Sequence, residues 1–235
     1  MSTNHELVSI DGVEVMLDAA WASPTVRASL RSGSYERSER AVLAATLSPD
    51  DTYLELGCGI GVLATLAAAR VGDGNVVAVE ADPAIAAVAR ETASRNGHAI
   101  DVRNAVLLQD PVEAVTSFYV RPDFRVSSLS PLPEARGSNE SPAELQSIQV
   151  PAVDALGTIA RVGASYLMVD IEGGETDLLR LPLPDCVTTV CVDLHAEATG
   201  IDAQSEMVAA LLANGFDLDI GRSDLPALLF RRRSS

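Results

Sequence analysis

The sequence predicts an α/β domain, a mostly parallel sheet with helices on both faces. Three observations point to it. Short apolar runs alternate with helical segments from residue 52 onward. A glycine-rich turn joins the first of these runs to the helix that follows. The 235 residues, 47% hydrophobic and 21% charged, are enough for one core without a metal or disulfide staple.

Residues 1–33 read as an N-terminal hairpin or lid segment, in which 7–10 and 13–15 alternate around the turn pair Asp11-Gly12. Residues 34–235 form the main domain. A helix over 34–47 sets Val42, Leu43 and Leu47 on one face and stops at Ser48-Pro49-Asp50-Asp51. The strand 52–56 runs into Gly57-Cys58-Gly59-Ile60-Gly61 and a helix over 62–70. A second strand covers 76–80. Asp82 then caps a helix with Pro83 at its first position, and Asn96-Gly97 ends it. A third strand covers 100–107. Residues 110–150 carry five prolines and read as a loop-rich insertion, with 118–120 as a candidate strand and 131–142 as a candidate disordered linker. The alternation resumes with a strand over 166–171, a helix after Gly174, a strand over 188–194, a helix over 203–213, and short strands at 216–220 and 227–230.

The formal charge is −16, from 33 acidic residues against 17 Arg, with no Lys. So acidic a chain is expected to avoid nucleic acid and anionic membrane, since both need a cationic face. The run Arg231-Arg232-Arg233 reads first as a solvated end. Cys58, Cys186 and Cys191 show no metal-ligand spacing, and their odd number argues against a disulfide framework. With no basic-then-apolar leader and no long apolar run, the expected setting is cytoplasmic.

The glycine turn is not the dinucleotide pattern Gly-x-Gly-x-x-Gly, because Val62 stands where the third glycine would be. A phosphate loop is excluded for lack of its Lys. Instead Glu55 precedes the turn, and Glu80 ends the next strand 25 residues on. Glu55 would repel a pyrophosphate and attract a cation, while Glu80 can accept both hydroxyls of a ribose. An acid beside the loop, an acid for the ribose and no phosphate site suit S-adenosylmethionine better than NAD. Asn104, at the end of the third strand, is placed to meet an adenine edge.

These residues resemble the class I S-adenosylmethionine-dependent methyltransferases, and more narrowly the FkbM family. The resemblance is carried by Gly33-Ser34-Tyr35-Glu36, Tyr53-Leu54-Glu55-Leu56-Gly57-Cys58-Gly59-Ile60-Gly61, Val79-Glu80-Ala81-Asp82-Pro83, Val102-Arg103-Asn104-Ala105-Val106, Val150-Pro151-Ala152-Val153-Asp154-Ala155-Leu156 and Val169-Asp170-Ile171-Glu172-Gly173-Gly174-Glu175. It implies a Rossmann-like sheet of seven strands with the last antiparallel. It also implies O-methylation of a small molecule, a natural product or sugar-bearing intermediate, with N-methylation among relatives. The implied cofactor contacts are Tyr35, Glu36, Glu55, Gly57, Cys58, Gly59, Gly61, Glu80, Ala81, Asn104 and Asp170. Two positions depart from the family pattern: Met168 stands where a Lys is usual, and the strand over 188–194 runs out as Asp193-Leu194-His195.

Reactive groups in such a sheet gather beyond the carboxyl ends of the central strands. Asp170 and His195 each end one, with Glu172 close by. His195 is the expected general base, and Asp170 could hold a hydroxyl, orient His195 or act as base itself. Tyr119, Arg125 and Ser128 in the insertion are candidate substrate contacts; a surface loop packing its own aromatics is an equally good reading. Asp170, Glu172, Asp193 and His195 offer ligands for a divalent metal, which the spacing does not demand and which is not favoured. The expected partner is a small-molecule acceptor, with a homodimer left open. The competing readings are an amine or guanidino acceptor, suited to the same acidic cluster, and a cofactor-binding partner without turnover.

Overall fold

The computed structural model describes residues 6–130 and 146–234. A hairpin opens the chain, β1 (Glu6–Ile10) and β2 (Val13–Leu17), with Asp11 and Gly12 both at positive φ as a two-residue turn requires. Helices α1 (Pro24–Ser32) and α2 (Arg37–Thr46) follow. The alternating part comprises β3 (Tyr53–Leu56), α3 (Val62–Val71), β4 (Val76–Glu80), α4 (Pro83–Arg95) and β5 (Asp101–Asn104). Next come β6 (Val106–Leu108), β7 (Val115–Val120), β8 (Gln146–Asp154) and α5 (Ala155–Val162). The chain continues through β9 (Tyr166–Val169), α6 (Glu175–Leu178), β10 (Thr189–Asp193), α7 (Ala196–Thr199), α8 (Ile201–Ala213), β11 (Phe216–Leu218) and β12 (Ala227–Arg232).

The main sheet has seven strands in the order β11-β12-β10-β9-β3-β4-β5. β10, β9, β3, β4 and β5 pair in parallel, and β12 lies antiparallel to both its neighbours. The fold class read from the sequence is therefore the one observed.

Period-2 alternation divides the core. Tyr53, Met168 and Cys191 face one layer, with Val42 and Leu43 of α2, Leu63 and Ala67 of α3, and Ala86 and Ala89 of α4. Leu54, Leu56, Leu167, Val169 and Val190 face the other, with Ile159 of α5, Leu178 of α6, and Met207 and Leu211 of α8. The β1–β2 hairpin closes a third cluster, where Ile10, Val13, Val15 and Leu17 meet Ile60, Val62 and Ile85. It is fastened by Asn96, whose Oδ1 accepts from Glu14 N (2.8 Å) and whose Nδ2 donates to Glu14 O (2.9 Å).

Three elements differ from the sequence reading. Helix α1 lies inside the segment expected to be hairpin or lid; Ser23 Oγ accepts from Val26 N (3.1 Å), and Gly33 closes it in the left-handed conformation. The strand expected over 100–107 breaks at Ala105: its first half joins the main sheet, and its second half pairs with β8 in a separate three-stranded sheet, β6-β8-β7. The insertion is correspondingly more ordered than a loop, since β7 and β8 pair antiparallel from Val115↔Pro151 to Val120↔Gln146. The linker expected over 131–142 lies outside the described residues. Among those described, no helix is long and apolar enough to cross a membrane.

Candidate active site

A cavity of about 830 Å³ opens beyond the carboxyl ends of β3, β4, β9 and β10, the place this topology assigns to a ligand. Its floor is the turn after β3. Gly57 is at φ +81, and a Cβ there would stand 1.7 Å from Asp170 O, so only glycine fits. Gly61 has a different reason: it lets α3 approach Ala89 of α4.

One half of the cavity centres on Glu80. Its Oε2 accepts from Gly59 N (3.0 Å) and its Oε1 from Asp82 N (2.9 Å), which ties the glycine turn to the next strand end. Burial pushes the carboxyl up to about 7, against the pull of those backbone donors. Asn104 does not line the cavity. It donates Nδ2 to Glu80 O (2.9 Å) and Ala81 O (2.7 Å) and so braces the wall formed by Ala81, Ala105 and Val106. Tyr35 and Glu36 form a roof: a Cβ on Gly59 would lie 3.0 Å from Tyr35 Oη, 3.3 Å from Phe124 Cε2 and 3.8 Å from Glu36 Oε1. Glu36 holds this place in left-handed backbone, at φ 48. Burial first, then the charges of Glu55 and Asp170, raise its carboxyl well above the usual range.

Besides Asn104, three expected contacts lie off the cavity: Gly61, against α4, and Glu55 and Cys58. Glu55 shares a strand face with Tyr53 and points beneath the helices; it is 1% exposed, and burial holds its carboxyl well above the usual range. Cys58 is wholly buried in the same layer. Neither lines the cavity.

The other half centres on His195, at the start of α7. Its Nε2 is 3.3 Å from Asp170 Oδ1, 3.3 Å from Asp193 Oδ2 and 3.6 Å from Glu172 Oε2. Its Nδ1 lies 3.2 Å from Oε1 of the fully buried Glu175, which also accepts from Gln204 Nε2 (3.0 Å). Burial opposes the imidazolium, but the Glu175 bond and the charges of Asp170 and Glu172 outweigh it and raise the ring to about 10. Burial raises Asp170 to about 7, with His195 pulling the other way and Glu172 adding to the rise. Asp193 is raised to about 9 by burial and by Asp170. Glu172, like Glu36, reaches the cavity from left-handed backbone, at φ 52.

Asp170, Asp193 and His195 each bring a donor atom within 4.8 Å of the others, a spacing that admits a divalent cation. The same donors are already engaged with one another. Among the expected substrate contacts Arg125 lines the cavity, while Tyr119 and Ser128 do not. Strand alternation turns Phe118 inward instead, and Ser128 Oγ accepts from Arg121 Nη1 (3.2 Å). Glu39, Leu225 and Pro226 line the cavity without having been foreseen. Glu39 was findable, standing three residues after Glu36 and so on the same side of α2.

A methyltransferase-domain family profile matches residues 54–125, the stretch that holds the glycine turn, Glu80 and Asn104. Over these residues the chain carries a methyltransferase domain of the class I S-adenosylmethionine-dependent type. The domain is similar to the ribosomal protein L11 methyltransferase of Dechloromonas aromatica, 40% identical over 95 residues, 40% of this chain and 29% of the relative. The corresponding protein of Symbiobacterium thermophilum is 43% identical over 67 residues, 28% of this chain and 22% of the relative. A probable ribosomal RNA small subunit methyltransferase A of Methanosarcina acetivorans is 52% identical over 50 residues, 21% of this chain and 18% of the relative. The chain thus spans less than a third of the length of each of these relatives. In fold the methyltransferase domain is similar to wild-type Trm5b of Pyrococcus abyssi, with TM-score 0.52 and 12% identity, covering 98% of this chain and 56% of that one. It is also similar to TYW2 of P. horikoshii, solved in complex with MeSAdo, with TM-score 0.50 and 15% identity, covering 100% and 73%.

These relatives correct one expectation. The sequence reading named a small-molecule acceptor and no nucleic acid, whereas the similar proteins are named for a ribosomal protein and a ribosomal RNA. The small-molecule acceptor is what the FkbM resemblance implies. The two stretches that carry that narrower likeness, 150–156 and 170–175, lie outside the matched 54–125.

Proposed function

We propose that this chain methylates a basic nitrogen of a protein segment, with S-adenosylmethionine as methyl donor. The observation that carries the reading is the gathering of Asp170, Glu172, Glu175 and Asp193 around a single imidazolium, beside a cavity half already suited to the cofactor. The chain's fit to the cofactor rests on Glu80, whose carboxylate has lone pairs left for ribose hydroxyls beside the two backbone donors it meets, and on the apolar wall of Ala81, Ala105 and Val106. When bound, the cofactor supplies an electrophilic methyl group on a sulfonium.

The acidic half is short of cations. Buried carboxyls raised to about 7 and about 9 would be relieved by an entering ammonium or guanidinium, and the attraction is strengthened by exclusion of water. A hydroxyl acceptor fits less well: it needs a base, and His195, raised to about 10, carries no free lone pair at neutral pH. For an ammonium acceptor, Asp170 can take the departing proton, since it is about half ionised near pH 7. Glu175 and Gln204 hold His195 in orientation, and Phe124 with Tyr35 closes the glycine turn from above. The net charge of −16 favours a basic polypeptide over RNA. Kinship with the FkbM family, carried by 150–156 and 170–175, and a cytoplasmic setting belong to the same proposal.

The test is transfer of labelled methyl to a basic protein fraction and to ribosomal RNA, each offered separately. The expected result is label in protein, recovered after acid hydrolysis as methylated Lys, Arg or N-terminal amine. Label in RNA alone, or tight cofactor binding with no transfer to protein, would overturn the reading.

A further inference from the structure

The cofactor's methionyl tail carries one ammonium and one carboxylate, and this cavity is a hostile place for the second. Glu36, Glu39, Glu80, Asp170 and Glu172 all face it. A carboxylate settles among them best beside a fixed cation. Among the described residues, the cationic side chains on the cavity wall are Arg37, Arg125 and His195. His195 is committed to four carboxylates in the acceptor half. Arg37 is exposed. Arg125 alone stands both near the glycine turn and inside the wall.

We infer that Arg125 holds the carboxylate of the cofactor's methionyl tail, with Glu36 opposite it for the ammonium; the inference rests on the cofactor reading above. Arg125 follows Phe124, whose ring is 3.3 Å from where a Gly59 Cβ would be, so the residue is anchored above the turn that the tail must cross. Its guanidinium is already oriented. Nε donates to Asp123 Oδ1 (2.9 Å) and Nη2 to Asp123 Oδ2 (2.7 Å), which leaves the Nη1 edge outside that fork. Asp123 is itself tethered, accepting from Ser23 Oγ at 3.3 Å, and Trp21 meets Phe124 edge-on with ring centroids 6.3 Å apart. The clamp is therefore built on two elements, the segment before α1 and the 3₁₀ turn Phe124–Val126. A guanidinium fixed in this way presents a planar donor edge to a carboxylate with little further ordering. Glu36 supplies the matching carboxyl, which the ammonium would draw into its ionised form, at a backbone angle that residues other than glycine seldom adopt. The sequence alone places Arg125 among the expected substrate contacts. Its position above the glycine turn gives it to the cofactor.

The experiment is calorimetric titration of the full chain with S-adenosylmethionine and with its decarboxylated form, which keeps the adenosyl group, the sulfonium and the amine. Arg125→Gln should weaken S-adenosylmethionine by about tenfold or more and leave the decarboxylated form bound as in the wild type. Asp123→Asn should give a smaller loss of the same selective kind, and Arg125→Lys should recover part of it. Retained binding of the decarboxylated form shows that each variant is folded. Equal weakening of both ligands by folded R125Q, or no change in either, would overturn the inference. A wild type that binds neither ligand would instead overturn the cofactor reading.

Discussion

Replacing Glu80 by Gln tests the cofactor half through its central carboxylate. In the wild type this carboxyl is raised from 4.5 to about 7, chiefly by burial. At roughly 1.4 kcal/mol per pH unit, a shift of that size is worth about 3 kcal/mol. The folded-state pKa lies above the unfolded one, so the stabilising contribution is complete below pH 4.5 and is lost as the pH rises through about 7. Gln does not ionise. Urea denaturation across that window should therefore show the stability difference moving in favour of E80Q by up to about 3 kcal/mol, on top of a pH-independent loss of about 1 kcal/mol for one backbone acceptor. Cofactor affinity should run the other way. Charge-assisted bonds to two ribose hydroxyls become neutral ones or disappear, about 2 kcal/mol in all, or roughly thirtyfold in Kd at about pH 8. Calorimetry with S-adenosylhomocysteine at several pH values measures this. Wild-type affinity should rise through pH 7, and that of E80Q should change far less. Equal affinity of the two proteins at about pH 8 would refute the assignment of Glu80 to the ribose.

Other residues give equally direct outcomes. Gly57→Ala should destabilise the fold by more than about 3 kcal/mol, since its Cβ would stand 1.7 Å from Asp170 O in left-handed backbone; a denaturation midpoint near that of the wild type would contradict the geometry. Glu175→Gln should lower the His195 pKa from about 10 by a unit or more, as seen in an NMR titration of its ring carbons, because the carboxylate at Nδ1 is a principal cause of the rise. Asn104→Ala removes two bonds to the backbone of β4 and the residue after it and should cost about 1–2 kcal/mol by urea denaturation, with weaker cofactor binding as the wall loosens.

Much of the fold could be read because its signals are local. The strands β3, β4, β9 and β10 are short, mostly apolar runs, largely buried on both faces as a parallel sheet demands. Helix α1 carries its own local signals: Ser23, Pro24 and Gly33 mark its cap, first turn and stop. β8 was not legible, since Gln146-Ser147-Ile148-Gln149-Val150-Pro151 is polar and contains proline; its strand character comes from pairing with β7 some thirty residues earlier. The turn of the chain at Ala105 likewise depends on a distant group, the Glu80 carbonyl that Ala105 N meets at 3.1 Å. In the site, the place of Glu80 on the cavity wall follows from its spacing to the glycine turn. Glu55 did not behave as its motif position suggests, because alternation from Tyr53 turns it toward the helices. Tyr119 missed the cavity by a single residue for the same reason.

The two glutamates in left-handed backbone put the domain's recognition chemistry in conflict with its endurance. Glu36 and Glu172 each hold a conformation that glycine would adopt with about 1 kcal/mol less strain. A population of variants selected for heat resistance alone should drift toward glycine at both positions, and those variants should outlast the parent in thermal melts while failing to retain cofactor or acceptor. Two strained carboxylates on one cavity wall place the cost of recognition there and not in the core.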